Sequence, residues 1–130
     1  MIKRDLTGLW LLLAGFFGAS GVGAGAYGWH SLGESDSARE IFMMGVAYQM
    51  WHALALMGVA WLASRDSSKL TALAGICFSL GIVLFSGTLY FFAVAGTVPV
   101  EGAAPIGGWM MMGGWAVFMW RGVTSLRTAA

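Results

Sequence analysis

The sequence predicts an all-α integral membrane protein: a single antiparallel bundle of four transmembrane helices with both termini cytoplasmic. Three observations predict it. The chain holds four long apolar stretches, its connections are too short for another domain, and its lysines and arginines gather at one set of helix ends. The stretches run about Leu6–Tyr27, Ile41–Leu62, Leu70–Ala95 and Pro105–Trp120. A bilayer core takes about 20 apolar residues per helix, with about 17–25 the usual range. Three stretches meet that length. The fourth sits near the lower limit and would rely on Arg121 reaching out to the interface and on Pro105 starting the helix there. Hydrophobic residues are 58% of the chain and charged residues 10%, so no face is left for a water-soluble surface. A net charge of +1 gives no reason to expect nucleic acid as a partner.

The expected helices are 6–28, 38–63, 69–95 and 105–121, in one domain spanning 1–130. The N-terminal "MIKRD" followed by Leu6–Phe17 and "GASGVGAGA" has the outline of a secretory signal, with Ala24-x-Ala26 as its cleavage site. The apolar run continues through Tyr27 and Trp29, so an uncleaved first helix is expected. Helix 2 should start at Ser37-Ala38-Arg39-Glu40, which has the S-x-x-E form of a capping box. The short "ASRDSSK" makes helices 2 and 3 antiparallel neighbours. Loop 3, "GTVPVEGAA", ends at Pro105, a favourable first helical residue.

Charge sets the expected threading. Lys3, Arg4, Arg65, Lys69, Arg121 and Arg127 fall on one side. The other side has Arg39 with Glu34, Asp36, Glu40 and Glu101. Cytoplasmic loops collect lysine and arginine, so both termini are expected inside.

Small residues mark the helix faces. Gly18, Gly21, Gly25 and Gly28 are spaced three, four and three apart, which keeps them on one side of helix 1. Such stripes let backbones approach closely where lipid removes the hydrophobic drive for association. Gly81 and Gly87 in helix 3, and Gly107 and Gly108 in helix 4, are expected to serve the same purpose. No phosphate-binding, zinc-protease or nucleophile-elbow motif occurs, and the lone Cys77 cannot form an internal disulfide.

Polar side chains deep in a bilayer are costly and become candidates for function. Helix 2 carries Tyr48, Gln49 and His52 on neighbouring positions of one face. His52 lies about twelve residues into helix 2, roughly 18 Å deep. Without a counter-charge it is expected to be neutral, bonded to Gln49, to Tyr48 or to a helix 3 serine such as Ser86. Two readings stay open: an interhelical hydrogen-bond pin, or a ligand or proton site. His30 should sit at the outer end of helix 1, among Tyr27, Trp29 and Trp109 of an aromatic belt. A haem held by His30 and His52 within one protomer is excluded by their difference in depth, about 18 Å. Carboxylates occur only in loops and near the ends, so no metal site is expected.

Four segments then match a known pattern. "GVGAGAYGWHSL" at Gly21–Leu32, "YQMWHALAL" at Tyr48–Leu56, "LGIVLFSGTLY" at Leu80–Tyr90 and "PIGG" at Pro105–Gly108 resemble the YgdD-like family, domain-of-unknown-function family 423. The resemblance covers essentially the whole chain and implies a small four-helix protein of the bacterial inner membrane. It carries over Gly25, Gly28, His30, Tyr48, Gln49, His52, Ser86, Gly87, Tyr90, Pro105, Gly107 and Gly108 as motif positions. The chain departs at Trp29 where the family has Ala, at Ser31 for Gly, at Thr88 for Ser and at Ala104 for Thr. Trp29 puts in doubt any role that needs a small, open site beside His30. The resemblance implies no reaction.

On the expected topology, Tyr48, Gln49, His52, Ser86 and Tyr90 would form one polar cluster in the outer half of the bundle, with His30 and Pro105 above it. The leading functional expectation is a membrane protein without catalytic activity. It would be a structural or accessory subunit of a larger complex, or a bundle that associates with itself. The alternatives are a small transporter or channel, or a protein holding haem, quinone or lipid near His52.

Overall fold

A computed structural model of the protein describes residues 5–33 and 37–130. Lys3, Arg4, Glu34 and Asp36, which entered the charge pattern, lie outside the described residues. Among the described residues every regular element is helical: α1 (Thr7–Ser31), α2 (Ser37–Arg65), α3 (Lys69–Ala95) and α4 (Ala103–Ala129). The first three are long and apolar enough to cross a membrane. α4 has 27 residues, about 40 Å of helix, but its last turns carry Arg121, Thr124, Ser125, Arg127 and Thr128.

α4 is longer at both ends than the apolar stretch suggests. It starts at Ala103, so Pro105 is its third residue. Proline is tolerated there because the first four N–H groups of a helix have no partner inside it. Gly102 precedes the helix with φ 81°, a left-handed conformation that favours glycine. Gly96 plays the matching part at the end of α3: with φ 74° it turns the chain out of the helix while its N–H bonds to the Phe92 carbonyl. At the start of α3, the Ser68 hydroxyl accepts from the Thr71 N–H at 3.1 Å.

α3 is not a uniform α-helix. Lys69–Gly81 and Gly87–Ala95 are α-helical, and Ile82–Ser86 between them is a π turn. There the Gly87 N–H reaches back five residues to the Ile82 carbonyl. The widened turn is met by α4 at Gly107. A Cβ on Gly107 would lie 2.6 Å from the Phe85 nitrogen and 2.9 Å from the Leu84 Cβ, so only a glycine fits against the bulge.

The helices pack in chain order, α1 on α2, α2 on α3 and α3 on α4. Leu56, Val59, Ala74 and Phe78 have no solvent exposure and form the centre. The outer surface is as apolar as the interior: Leu12, Phe16, Trp51, Trp61, Trp109 and Met119 are each more than half exposed. An apolar exterior of that extent marks lipid or protein contact and does not suit water. α4 makes no extended contact with α1 or α2, which leaves a groove between α2 and α4.

The glycines divide into those that admit a neighbour and those that do not. Gly21 and Gly28 of α1 leave room for Met50, and for Phe42 and Met43; a Cβ would stand 2.5 Å from Met50 Sδ and 2.6 Å from Phe42 Cδ1. Gly25 meets Val46 at 3.4 Å. Gly81 and Gly107 face each other across α3 and α4, each Cβ position 3.0 Å from the other's carbonyl oxygen. Gly18 and Gly87 have nothing within 4 Å, and Gly108 has only the Phe85 ring at 3.9 Å, so these three do not set a helix crossing. Spacing alone put Gly18 on the stripe, but the buried line of α1 continues from Gly21 through Phe17, Ala14 and Trp10, and Gly18 is turned away from it. Gly45, Gly75 and Gly114 do admit large groups, the rings of Tyr90, Trp10 and Phe78.

Candidate functional site

The middle of the bundle contains two polar hubs that α2 presents about 60° apart, toward different neighbouring helices. The first is built on Gln49. Its position one helical turn from Gly45 and from Ala53 directs it inward, and it is 4% exposed. Its amide nitrogen donates to the Phe17 carbonyl at 2.8 Å and to the Ser20 hydroxyl at 2.9 Å, both on α1. Its carbonyl oxygen accepts from the Tyr90 hydroxyl on α3 at 2.7 Å. One side chain therefore ties three helices. Ser20 completes its own bonding by donating to the Phe16 carbonyl at 2.8 Å. One turn away, the buried Ser86 hydroxyl of α3 donates to the Gly45 carbonyl of α2 at 2.7 Å.

The second hub is built on His52, also 4% exposed. Its Nδ1 lies 2.6 Å from the Tyr48 carbonyl, and the Trp115 indole N–H of α4 donates to its Nε2 at 3.0 Å. An indole can only donate. Nε2 must therefore present its lone pair, and Nδ1 must carry the proton that meets the Tyr48 carbonyl. This fixes one neutral tautomer. Aromatic rings enclose the imidazole: Tyr48 stacks at 6.1 Å, Phe78 lies at 5.6 Å and Trp115 at 5.9 Å between centroids.

The cluster expected from the sequence is thus divided. Gln49, Tyr90 and Ser86 come together on the α1–α2–α3 side. His52 and Tyr48 do not join them: His52 is bonded to neither Gln49 nor Ser86, and the Tyr48 ring packs on Phe85 at 4.6 Å. Tyr48 contributes its backbone carbonyl to His52. The cause is helical angle, since three residues advance a helix by about 300° and turn Gln49 and His52 to different neighbours. His30 is exposed in the last turn of α1 and is placed outside both hubs.

Ser20, Trp115 and the carbonyls of Phe17 and Gly45 were not singled out from the sequence. A serine in a glycine-rich stripe and a tryptophan in an apolar run both read as ordinary. The available signal was depth: counted from the helix ends at Ser31 and Ala103, Ser20 and Trp115 lie about 16 and 18 Å in, close to the level of Gln49 and His52.

Apolar hollows flank the hubs. One of about 550 Å³ lies beside His52 and Trp115 in the α2–α4 groove. Another of about 370 Å³ lies beside Gln49, Ser20 and Tyr90 between α1 and α3. Among the described residues no three His, Cys, Asp or Glu side chains converge on a point that could hold a metal.

Residues 24–108 match the family model described as Protein of unknown function (DUF423). The chain is similar to the UPF0382 membrane protein YwdK of Bacillus subtilis (strain 168), 43% identical over 77 residues, 56% of this chain and 62% of the relative. It is similar to a UPF0382 membrane protein of Staphylococcus epidermidis, 34% identical over 88 residues, 66% of this chain and 71% of the relative. The UPF0382 inner membrane protein YgdD of Escherichia coli (strain K12) is 36% identical over 87 residues, 65% of this chain and 66% of the relative. The matches span about two thirds of these relatives' lengths. No solved structure matches the chain.

Proposed function

Since the chain belongs to the DUF423 family and its relatives are membrane proteins, we propose that it is a non-catalytic four-span protein of the bacterial inner membrane. In this reading both termini are cytoplasmic, and the bundle serves as a structural or accessory subunit or associates with itself. The charge pattern supports the threading: Arg65, Lys69, Arg121 and Arg127 sit at one set of ends. Support for the fourth span comes from α4's exposed Trp109, Met112, Met119 and Trp120, which need an apolar surrounding along most of its length. A cysteine placed at Pro105 and another at Thr128, each in a Cys77→Ser background, test this. Labelling of both from the same side of sealed vesicles would sink the fourth span.

The observation that carries the functional reading is the way the buried polar groups are bonded. Gln49, Tyr90, Ser86 and His52 spend their bonds on neighbouring helices. A transport path needs polar groups in a continuous line, and here His52 shares no hydrogen bond with the Gln49 network. Haem ligation by His52 would require the Trp115 indole to leave Nε2. Native mass spectrometry of protein extracted gently from its own membrane is the test. The expected result is a mass built from several copies or from this chain with another protein. A lone chain whose proteoliposomes pass a solute, with passage abolished in a folded Gln49→Leu variant, would replace this reading with transport.

A further inference from the structure

The groove between α2 and α4 has a chemistry that the hubs do not use. Two hollows of about 550 and 520 Å³ lie end to end along the lipid-facing side and meet where the Phe118 ring packs on Gly58, giving a trough with Phe118 as a sill at its middle. One end lies beside His52, and the other ends at Arg65 and Arg121. From His52 to Arg65 the helix rises about 20 Å, and one leaflet of bilayer hydrocarbon is about 15 Å deep. The trough therefore covers the depth of a leaflet and ends at the level of the headgroups. Toward the charged end its floor is open, since a Cβ at Gly122 would meet nothing within 4 Å.

The charged end is not balanced. Arg121 pairs with Asp66 at 3.0 Å. Arg65 lies over the Trp61 ring at 5.1 Å and has no carboxylate in that contact. Among the described residues, Arg65, Lys69, Arg121 and Arg127 stand at this end with Asp66 and Asp5, so side-chain cations outnumber carboxylates four to two. Cations at this depth attract anionic headgroups, and basic pockets between membrane helices hold them.

We propose that the α2–α4 groove binds one anionic phospholipid, its phosphate at Arg65 and Arg121 and an acyl chain along the trough toward His52. The proposal rests on the reading that α4 crosses the bilayer. A second copy of the chain is the weaker occupant. In the same membrane orientation it would bring its own arginines to the same depth, where like charges repel.

The test is native mass spectrometry of the purified protein in micelles containing equal phosphatidylglycerol and phosphatidylcholine with the same acyl chains. The expected result is one retained phosphatidylglycerol per chain, favoured about fivefold or more over phosphatidylcholine. Arg65→Gln, which leaves the Arg121–Asp66 pair in place, should lower phosphatidylglycerol retention about fivefold. Gly122→Leu fills the trough at an open helical position and should lower retention of both lipids. Equal retention of the two lipids by the unaltered protein would overturn the proposal. So would unchanged retention in both variants, or a lipid-free dimer. Retention in micelles is read independently of the vesicle labelling that tests the fourth span, so failure of one is distinct from failure of the other.

Discussion

Replacing Gln49 with leucine removes three hydrogen bonds in one step while keeping the volume close. The bonds run to the Phe17 carbonyl at 2.8 Å, to Ser20 at 2.9 Å and from Tyr90 at 2.7 Å. Interhelical hydrogen bonds in membranes average about 0.6 kcal/mol. Three of them come to about 2 kcal/mol, roughly a 30-fold shift in the folding equilibrium. The new leucine packs against apolar neighbours, but it leaves the Tyr90 hydroxyl without its acceptor, and these two effects oppose each other. The expected loss is therefore about 2 kcal/mol, read by reversible unfolding in mixed micelles and followed by tryptophan fluorescence. Tyr90→Phe in the same assay completes a double-mutant cycle. The coupling between Gln49 and Tyr90 should be about 0.6 kcal/mol and no more than about 1.7 kcal/mol. A loss below about 0.5 kcal/mol for Gln49→Leu, together with zero coupling, would refute the claim that this amide ties three helices.

Other outcomes follow from the same geometry. Gly107→Ala should destabilise by about 1–3 kcal/mol, because the new Cβ meets the backbone of Phe85 and Gly81 and neither can swing away. Gly18→Ala has open space and should be neutral or stabilising by up to about 1 kcal/mol; equal losses at both positions in the unfolding assay would contradict the packing described. Nitrogen NMR of ring-labelled His52 should find the proton on Nδ1, and Trp115→Phe should weaken the fold by about 0.6–2 kcal/mol; a proton on Nε2 would rule out the indole bond. Near the N-terminus, Asp5 accepts from the Thr7 N–H at 2.9 Å, and bonds to Thr7 hold its carboxyl below the usual value. A depressed folded value means this support is complete above about pH 3.9 and is lost as pH falls through the lower folded value. Thr7 amide exchange, corrected for its intrinsic rate, should therefore accelerate at that acidic end, and Asp5→Asn should remove the pH dependence.

Much of the architecture was legible because lipid imposes strong rules. A run such as Leu70–Ala95 has few alternatives to a helix, and the structure places α3 at Lys69–Ala95. The ends were less legible. Pro105 reads as a start signal, yet a helix can begin two residues earlier because a missing N–H costs nothing in its first turn. In the site, residue types near mid-membrane were recognisable as unusual, and Gln49, Tyr90 and Ser86 meet in one region. Their partners were hidden for a physical reason. Most of the bonds end on backbone carbonyls, at Phe16, Phe17, Tyr48 and Gly45, and every residue has one of those. The separation of His52 from Gln49 follows from a rotation about α2 that spacing gives only when the positions of the neighbouring helices are known.

The π turn at Ile82–Ser86 bears on how this chain could change length. A π turn is equivalent to one residue inserted into an α-helix and absorbed locally. Removing one residue there would restore ordinary helix on both sides and shorten α3 hardly at all. It would also keep everything beyond it nearly in phase, because the widened π turn carries its extra residue without adding to the rotation of the helix. Tyr90 would still face Gln49, whereas the widened backbone that meets Gly107 would be gone. The first half of α3, with Ala74 and Phe78 in the core, would stay where it is. A single-residue deletion at this turn should thus keep both the helix and its pairing with α2, and change only the fit against Gly107. The bulge acts as the chain's phase adjustment between two halves of one helix that answer to different neighbours.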